Sequence, residues 1–292
     1  VFGQNAWVRG KQRIRSLLTP KTLIATILGA VLLVTLLSFA DIDRVWHLIQ
    51  GFPLLLIAVL FMLVVGREVL RSAEWRILLE AIGIHASRRA AFLTLSGGDA
   101  AQVLPGGLYF QDLLVSREFG GSVSKPLAAT MVMVWMEMTM AMLALGTVGL
   151  PGVPELRSVM LVCGVGSLAT LLAVRPRMLK WVRQRTARAQ VGHGGIAGRV
   201  LVELDHFTGA LAELAHPKVI GSGLAFCAAY MALTFYGFYL VCAGLHLSHI
   251  GFADAVAVYS LVLAIVIVNP LPSDLGVSEA SGVGASRLFT LA

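Results

Sequence analysis

A handful of charged side chains stand in this sequence where charge is costly. Glu137 is the single charge in the apolar run from Leu127 to Leu150. Asp99 lies in a second apolar stretch, Ala90 to Leu104. Asp274 and Glu279 belong to Asn269-Pro270-Leu271-Pro272-Ser273-Asp274-Leu275-Gly276-Val277-Ser278-Glu279, which interrupts an apolar region near the end of the chain. Arg67 and Arg71 are four residues apart, on one face of any helix that contains them. A carboxylate in apolar surroundings faces a partner or a cavity, so such acids are placed to bind a cation or to exchange protons. A guanidinium in the same setting is suited to phosphate. Two breaks accompany these charges, one at Pro105-Gly106-Gly107 and one built from Pro270, Pro272 and Gly276. Proline and glycine stop a helix, and the backbone groups they free are tolerated at membrane depth only inside protein or beside a water-filled cavity.

The frame around these residues is a membrane one. The chain has 292 residues, 57% of them hydrophobic and 13% charged, with a mean hydropathy of +0.82. Soluble domains carry about 25% charged residues. The net charge of +7 would suit nucleic acid, but the basic residues cluster at the ends of apolar runs, as positive-inside topology and anionic lipid headgroups require. No nucleic-acid partner is expected. An all-α, polytopic helical membrane protein is expected, a single integral domain over 1–292, with broken or re-entrant segments near 90–107 and 269–280.

Thr22 to Ala40 is read as a retained first span rather than a signal peptide, because its apolar run exceeds a usual signal core of about 7–15 residues. Further helices are expected from Phe52 to about Gly83, Leu127 to Leu150, Ser158 to Val174, Val219 to Leu245 and Asp254 to Asn269. The first of these turns charged at Arg67, Glu68, Arg71, Glu74, Arg76 and Glu80, so its end is read as leaving the membrane. There the charges face headgroups or water, and Trp75 occupies an aromatic-belt position. Ser96-Gly97-Gly98-Asp99 is expected to interrupt the 90–104 segment, with Asp99 either a partnered intramembrane acid or a helix cap. Tyr109 to Lys125 is polar enough to be interfacial.

Gly164-x-Gly166 permits close helix packing. The insert 175–217 combines a basic run (Arg175, Arg177, Lys180, Arg183, Arg185, Arg188) with an amphipathic helix from Ile196 to Leu214. It is a surface for anionic lipid, or a docking face for a soluble partner. Positive charge then puts the N-terminus, 67–89 and 175–218 in the cytoplasm, and 41–51, 151–157 and 246–253 outside.

Metal and enzyme chemistry find little support. His246 and His249 with Asp254 lack a third strong ligand, and the methionines around Glu137 suit adaptable core packing. Cys163, Cys227 and Cys242 lie in apolar segments without C-x-x-C spacing and read as buried free thiols. There is no H-E-x-x-H and no nucleophile motif. No cofactor, no metal and no enzymatic activity are expected.

Three motifs together resemble the transmembrane region of lysylphosphatidylglycerol synthases, the family that includes the flippase domain of the bacterial multiple peptide resistance factor. Arg71-x-x-Glu74-Trp75-Arg76-Ile77-Leu78-Leu79-x-x-x-Gly83 is similar to that family's R-x-x-R-W-x-x-L-L-x-x-x-G. Leu104-Pro105-Gly106-Gly107 is followed by Glu137 in the next span. Pro270-x-Pro272-x-x-Leu275-Gly276-Val277-x-Glu279 is close to P-x-P-G-G-L-G-V-x-E. The chain departs from the pattern at Tyr109 to Asp112, at Met138 and at Ser273-Asp274, and the pattern would run on into another helix beyond Ala292.

The resemblance implies flippase-like translocation of a phospholipid, glycolipid or polyprenyl-linked lipid across a bacterial-type inner membrane. The expected site is Glu279, Glu137, Asp99, Asp274, Arg67, Arg71, Pro105, Gly106, Pro272 and Gly276. In that reading the two broken segments meet near mid-membrane and offer helix ends to a polar headgroup. The alternatives are a non-catalytic membrane partner of a soluble lipid synthase or glycosyltransferase and, less favoured, an intramembrane lipid-modifying enzyme. Membrane lipids are the expected partners in each case, and a homo-oligomer is compatible with all three.

Overall fold

The computed structural model describes residues 50–101, 109–150, 153–173, 196–247 and 250–268. The expected span 22–40, the breaks at 104–107 and 269–279 and the basic run 175–188 lie outside the described residues. All regular structure among those described is helical. Eight helices follow one another: α1 (Leu54–Ala81), α2 (Arg88–Ala101), α3 (Phe110–Phe119), α4 (Ser124–Val148), α5 (Pro154–Ala173), α6 (Ile196–Leu214), α7 (Pro217–Gly244) and α8 (Phe252–Val268). By length and composition, α4, α5 and α7 can each cross a membrane. The outer surface agrees: Leu54, Phe61 and Val162 are 81%, 66% and 71% exposed, as lipid-facing side chains would be. The chain is an integral membrane protein.

Local chemistry sets the boundaries. The Ser87 hydroxyl accepts the Ala90 N–H at 3.2 Å and starts α2. Pro217 opens α7, where the His216 ring accepts the Lys218 N–H. α1 ends in a turn that sends the Ile84 N–H back to the Leu79 carbonyl, with Gly83 at φ +79°. That left-handed conformation is easy for glycine and strained for other residues.

α4 is the axis of the bundle and touches α1, α3, α5, α6, α7 and α8. α1 and α7 run antiparallel along their whole lengths. A Cβ on Gly244 would meet Phe52 and Leu56, one on Gly237 would approach Leu60 and Leu63, and one on Gly223 would come within 3.8 Å of Glu74. α4 and α5 approach backbone to backbone, since a Cβ on Gly146 would lie 2.5 Å from the Leu161 nitrogen and one on Gly164 2.9 Å from that of Leu143. Gly166, by contrast, faces open space, so of the two glycines expected to allow close packing only Gly164 does.

Three expectations are corrected here. α2 runs unbroken through Ser96-Gly97-Gly98-Asp99. The glycines serve packing: a Cβ on Gly98 would fall 2.6 Å from that of Gln111 on α3, so glycine lets α2 and α3 close up. The charged half of α1 is only in part a solvated helix end: Arg76 and Glu80 pair on its exposed side, but Arg71, Glu74 and Trp75 are all buried in the core. Trp75 is therefore no belt residue; its indole N–H points at the Thr94 hydroxyl of α2, 3.4 Å away. Of the three cysteines, Cys227 and Cys242 are buried and Cys163 is exposed on the outside of the bundle. The amphipathic α6 packs on α4, burying Thr208, Ala210 and Leu214.

Candidate functional site

Glu137 stands thirteen residues from the start of α4 and eleven from its end, and Tyr230 holds the equivalent middle position of α7. Both therefore lie near half-depth of helices long enough to span. The Arg71 guanidinium of α1 reaches the same place. Its Nε donates to Glu137 Oε1 at 3.2 Å, and its Nη1 donates to both carboxylate oxygens of Asp99, at 2.8 and 2.7 Å. The Tyr230 hydroxyl donates to Glu137 Oε1 at 2.8 Å. One cation thus joins α1, α2 and α4, and a phenol adds α7.

The sequence makes this convergence possible through spacing. Arg71, Glu74, Trp75 and Leu78 recur three and four apart and share the inward face of α1. Asp99 comes eleven residues after the start of α2, about 16 Å at 1.5 Å per residue, which brings it to the middle of α4. Arg71 is only 6% exposed, and ion pairs so enclosed hold because their hydrogen bonds are made.

Glu74 is the member that the sequence reading did not single out. It is fully buried, and neither carboxylate oxygen has a hydrogen-bond partner among the described residues. Tyr230 and Cys227 are its electrostatic neighbours on α7, but the single phenolic proton goes to Glu137. The signal was available in the 3–4 spacing of Arg71, Glu74 and Leu78, and in the family motif, which has arginine where this chain has Glu74.

The remaining expected residues divide clearly. Asp99, Glu137 and Arg71 are brought together. Arg67 does not touch Asp99 or Glu137 itself and joins them only through the adjacent Glu68, which it meets at 2.5 Å and which in turn hydrogen-bonds Asp99; both are half-buried. Asp99 is inside α2 and not an N-cap. Arg71 spends its contacts on acids, so it is not a headgroup-facing side chain of a helix end. Pro105, Gly106, Pro272, Asp274, Gly276 and Glu279 lie outside the described residues. Among those described, no group of His, Cys, Asp and Glu could hold a metal ion. Asp254 instead accepts the Gly251 N–H at 2.9 Å, in the turn before α8.

A second polar cluster lies on the other side of α2. The Gln111 amide donates to the Thr130 hydroxyl at 2.8 Å, and Thr130 donates to Asp112 Oδ1 at 2.6 Å. Gln111 and Asp112 are fully enclosed, against the interfacial placement expected for this stretch, because α3 is wedged between α2 and α4. α3, ten residues long, is too short to span. Burial pushes the Asp112 carboxyl up to about 7, with the Thr130 hydrogen bond opposing part of the shift.

No curated protein and no solved structure matches the chain. The family model for the lysylphosphatidylglycerol synthase TM region matches residues 22–291, nearly the whole sequence. With motif, helical membrane architecture and family model in agreement, the chain belongs to the lysylphosphatidylglycerol synthase transmembrane-region family.

Proposed function

We propose that this protein translocates a lipid, drawing the polar headgroup of a phospholipid, glycolipid or polyprenyl-linked lipid past the Arg71 network between the leaflets of a bacterial-type inner membrane. The observation that carries this reading is the Arg71–Asp99–Glu137–Tyr230 network at half-depth of the spanning helices. Charge placed there without a ligand or path to serve is rare, since each such group opposes membrane residence. Family membership supports a lipid-related role. α2 supports the re-entrant reading, because it starts beside the end of α1 and carries Asp99 to the middle of α4. Positive charge at the shared end of α1, α2 and α7 argues for placing that end in the cytoplasm. In this reading the protein is not an enzyme, and its partners are membrane lipids.

The test uses purified protein in liposomes containing fluorescent lipids of differing headgroup, with an impermeant quencher reporting transfer between leaflets. Wild type moves at least one class of lipid and Glu137→Gln moves it several-fold more slowly. Equal rates in protein-free, wild-type and Glu137→Gln vesicles for every headgroup overturn the proposal.

A further inference from the structure

Among the described residues the polar centre holds more acids than cations, even with Arg67 set against Glu68. Arg71 is matched by Asp99 and Glu137, which already gives two carboxylates to one guanidinium. Glu74 adds a third, fully buried and with neither oxygen hydrogen-bonded among the described residues. The groups in electrostatic reach of Glu74 are Arg71 on its own helix, Glu137 on α4, and Tyr230 and Cys227 on α7. Asp99 of α2 acts on it through Arg71, and Tyr259 of α8 faces Arg67, Arg71 and Glu137. The Tyr230 hydroxyl is close enough to act on Glu74 but gives its proton to Glu137, and no donor among these groups is left for Glu74. An ionised carboxylate enclosed without a donor takes up a proton rather than stay charged.

We propose that Glu74 is an exchangeable proton-binding site in the membrane core, with Arg71 as the switch that selects which acid carries the proton. Glu74 follows Arg71 by three residues, so the two side chains share a face of α1. In the arrangement described, Arg71 is held by Asp99 and Glu137, and Glu74 holds the proton. When the guanidinium swings from Glu137 to Glu74, the Glu74 O–H bond breaks and the proton passes to the Glu137 carboxylate. The summed charge of Arg71, Glu74, Asp99 and Glu137 is unchanged, because the proton only moves from one of these acids to another. The cluster thus has two states of equal charge that differ in which helix, α1 or α4, carries the neutral acid.

The site stands without the lipid reading, and its test reads the proton directly. Infrared spectra of the reconstituted protein at neutral pH are compared for wild type, Glu74→Gln, Glu137→Gln and Asp112→Asn. The expected result is a carboxylic-acid carbonyl band that shifts in heavy water, is lost in Glu74→Gln and is kept in Glu137→Gln. Should Glu74→Gln fail to fold, Glu74→Asp keeps the acid and must displace the band. A spectrum without such a band, or one whose band survives in Glu74→Gln and disappears only in Asp112→Asn, overturns the proposal. A Glu74 band in a protein that moves no lipid would sink the translocation reading and leave this one intact.

Discussion

Replacing Arg71 by methionine removes the cation that Asp99 and Glu137 share, while keeping an unbranched side chain of similar length. Asp99 is 24% exposed at its side chain and can recover some water, whereas Glu137 is 10% exposed and cannot. Breaking a buried pair by deleting one partner costs roughly 3–5 kcal/mol, because the remaining charge is stranded. Glu137→Gln is far milder. Its amide oxygen still accepts from Tyr230 and Arg71, so the loss is mainly the charge assistance of two hydrogen bonds, about 1–2 kcal/mol. In the double variant Arg71→Met/Glu137→Gln the stranded charge is gone, and about 1–3 kcal/mol of the first loss should return. Equilibrium unfolding in mixed micelles, followed by fluorescence with the buried Trp75 as one reporter, gives all three values. Additive losses in the double variant, or an Arg71→Met protein no weaker than Glu137→Gln, would refute the account of one guanidinium holding two acids.

Asp112 makes stability depend on pH. Its folded value of about 7 lies above the ordinary 3.8, so between those values the folded chain keeps a proton that the unfolded chain has released. Stability from this group is full below about pH 4, falls as pH rises and levels off above about 7. Asp112→Asn, whose amide oxygen can still accept from Thr130, should flatten that slope in unfolding measured across the same range. At the α4–α5 contact, Gly146→Ala pushes a methyl into the Leu161 backbone and should cost about 1–3 kcal/mol. Gly166→Ala meets nothing and should stabilise by roughly 0.5–1 kcal/mol. Thermal denaturation of the two variants side by side decides it.

The helices were legible because hydrophobic runs of spanning length leave little choice of structure. Leu127–Leu150 and Val219–Leu245 were placed within three residues of α4 and α7. Glu137 was legible for the same reason, as a lone charge in such a run has to face inward. The charged half of α1 was misread at Arg71 and Glu74, though not at the exposed Arg76–Glu80 pair, because six charges in fourteen residues look like a solvated end. Whether they meet water depends on α2, α4 and α7, and tertiary contacts do not show in local composition. Ser96-Gly97-Gly98-Asp99 was misread on similar grounds. Glycine pairs break isolated helices, but at Gly98 the missing Cβ is what lets α3 close against α2. Glu74 escaped notice because the groups that enclose it belong largely to other helices, while its sequence neighbours are charged and ordinary.

The charge-bearing half of α1 also bears on how the protein is made. Arg67, Glu68, Arg71 and Glu74 fall within eight residues. At roughly 2.5–3.5 kcal/mol for each charged group near the centre of a lone helix, membrane insertion of that segment is opposed by on the order of 10 kcal/mol before anything else is present. Arg67 is matched within α1 by Glu68, but relief for Arg71 arrives only with Asp99, twenty-eight residues later on the adjacent α2, so the α1–α2 hairpin is the smallest unit in which that guanidinium is matched. Glu137 and Tyr230 come later in synthesis and complete the set. The helix that anchors the network is thus a poor candidate for autonomous insertion, and the ribosome must deliver its counter-charges before the bilayer can hold it.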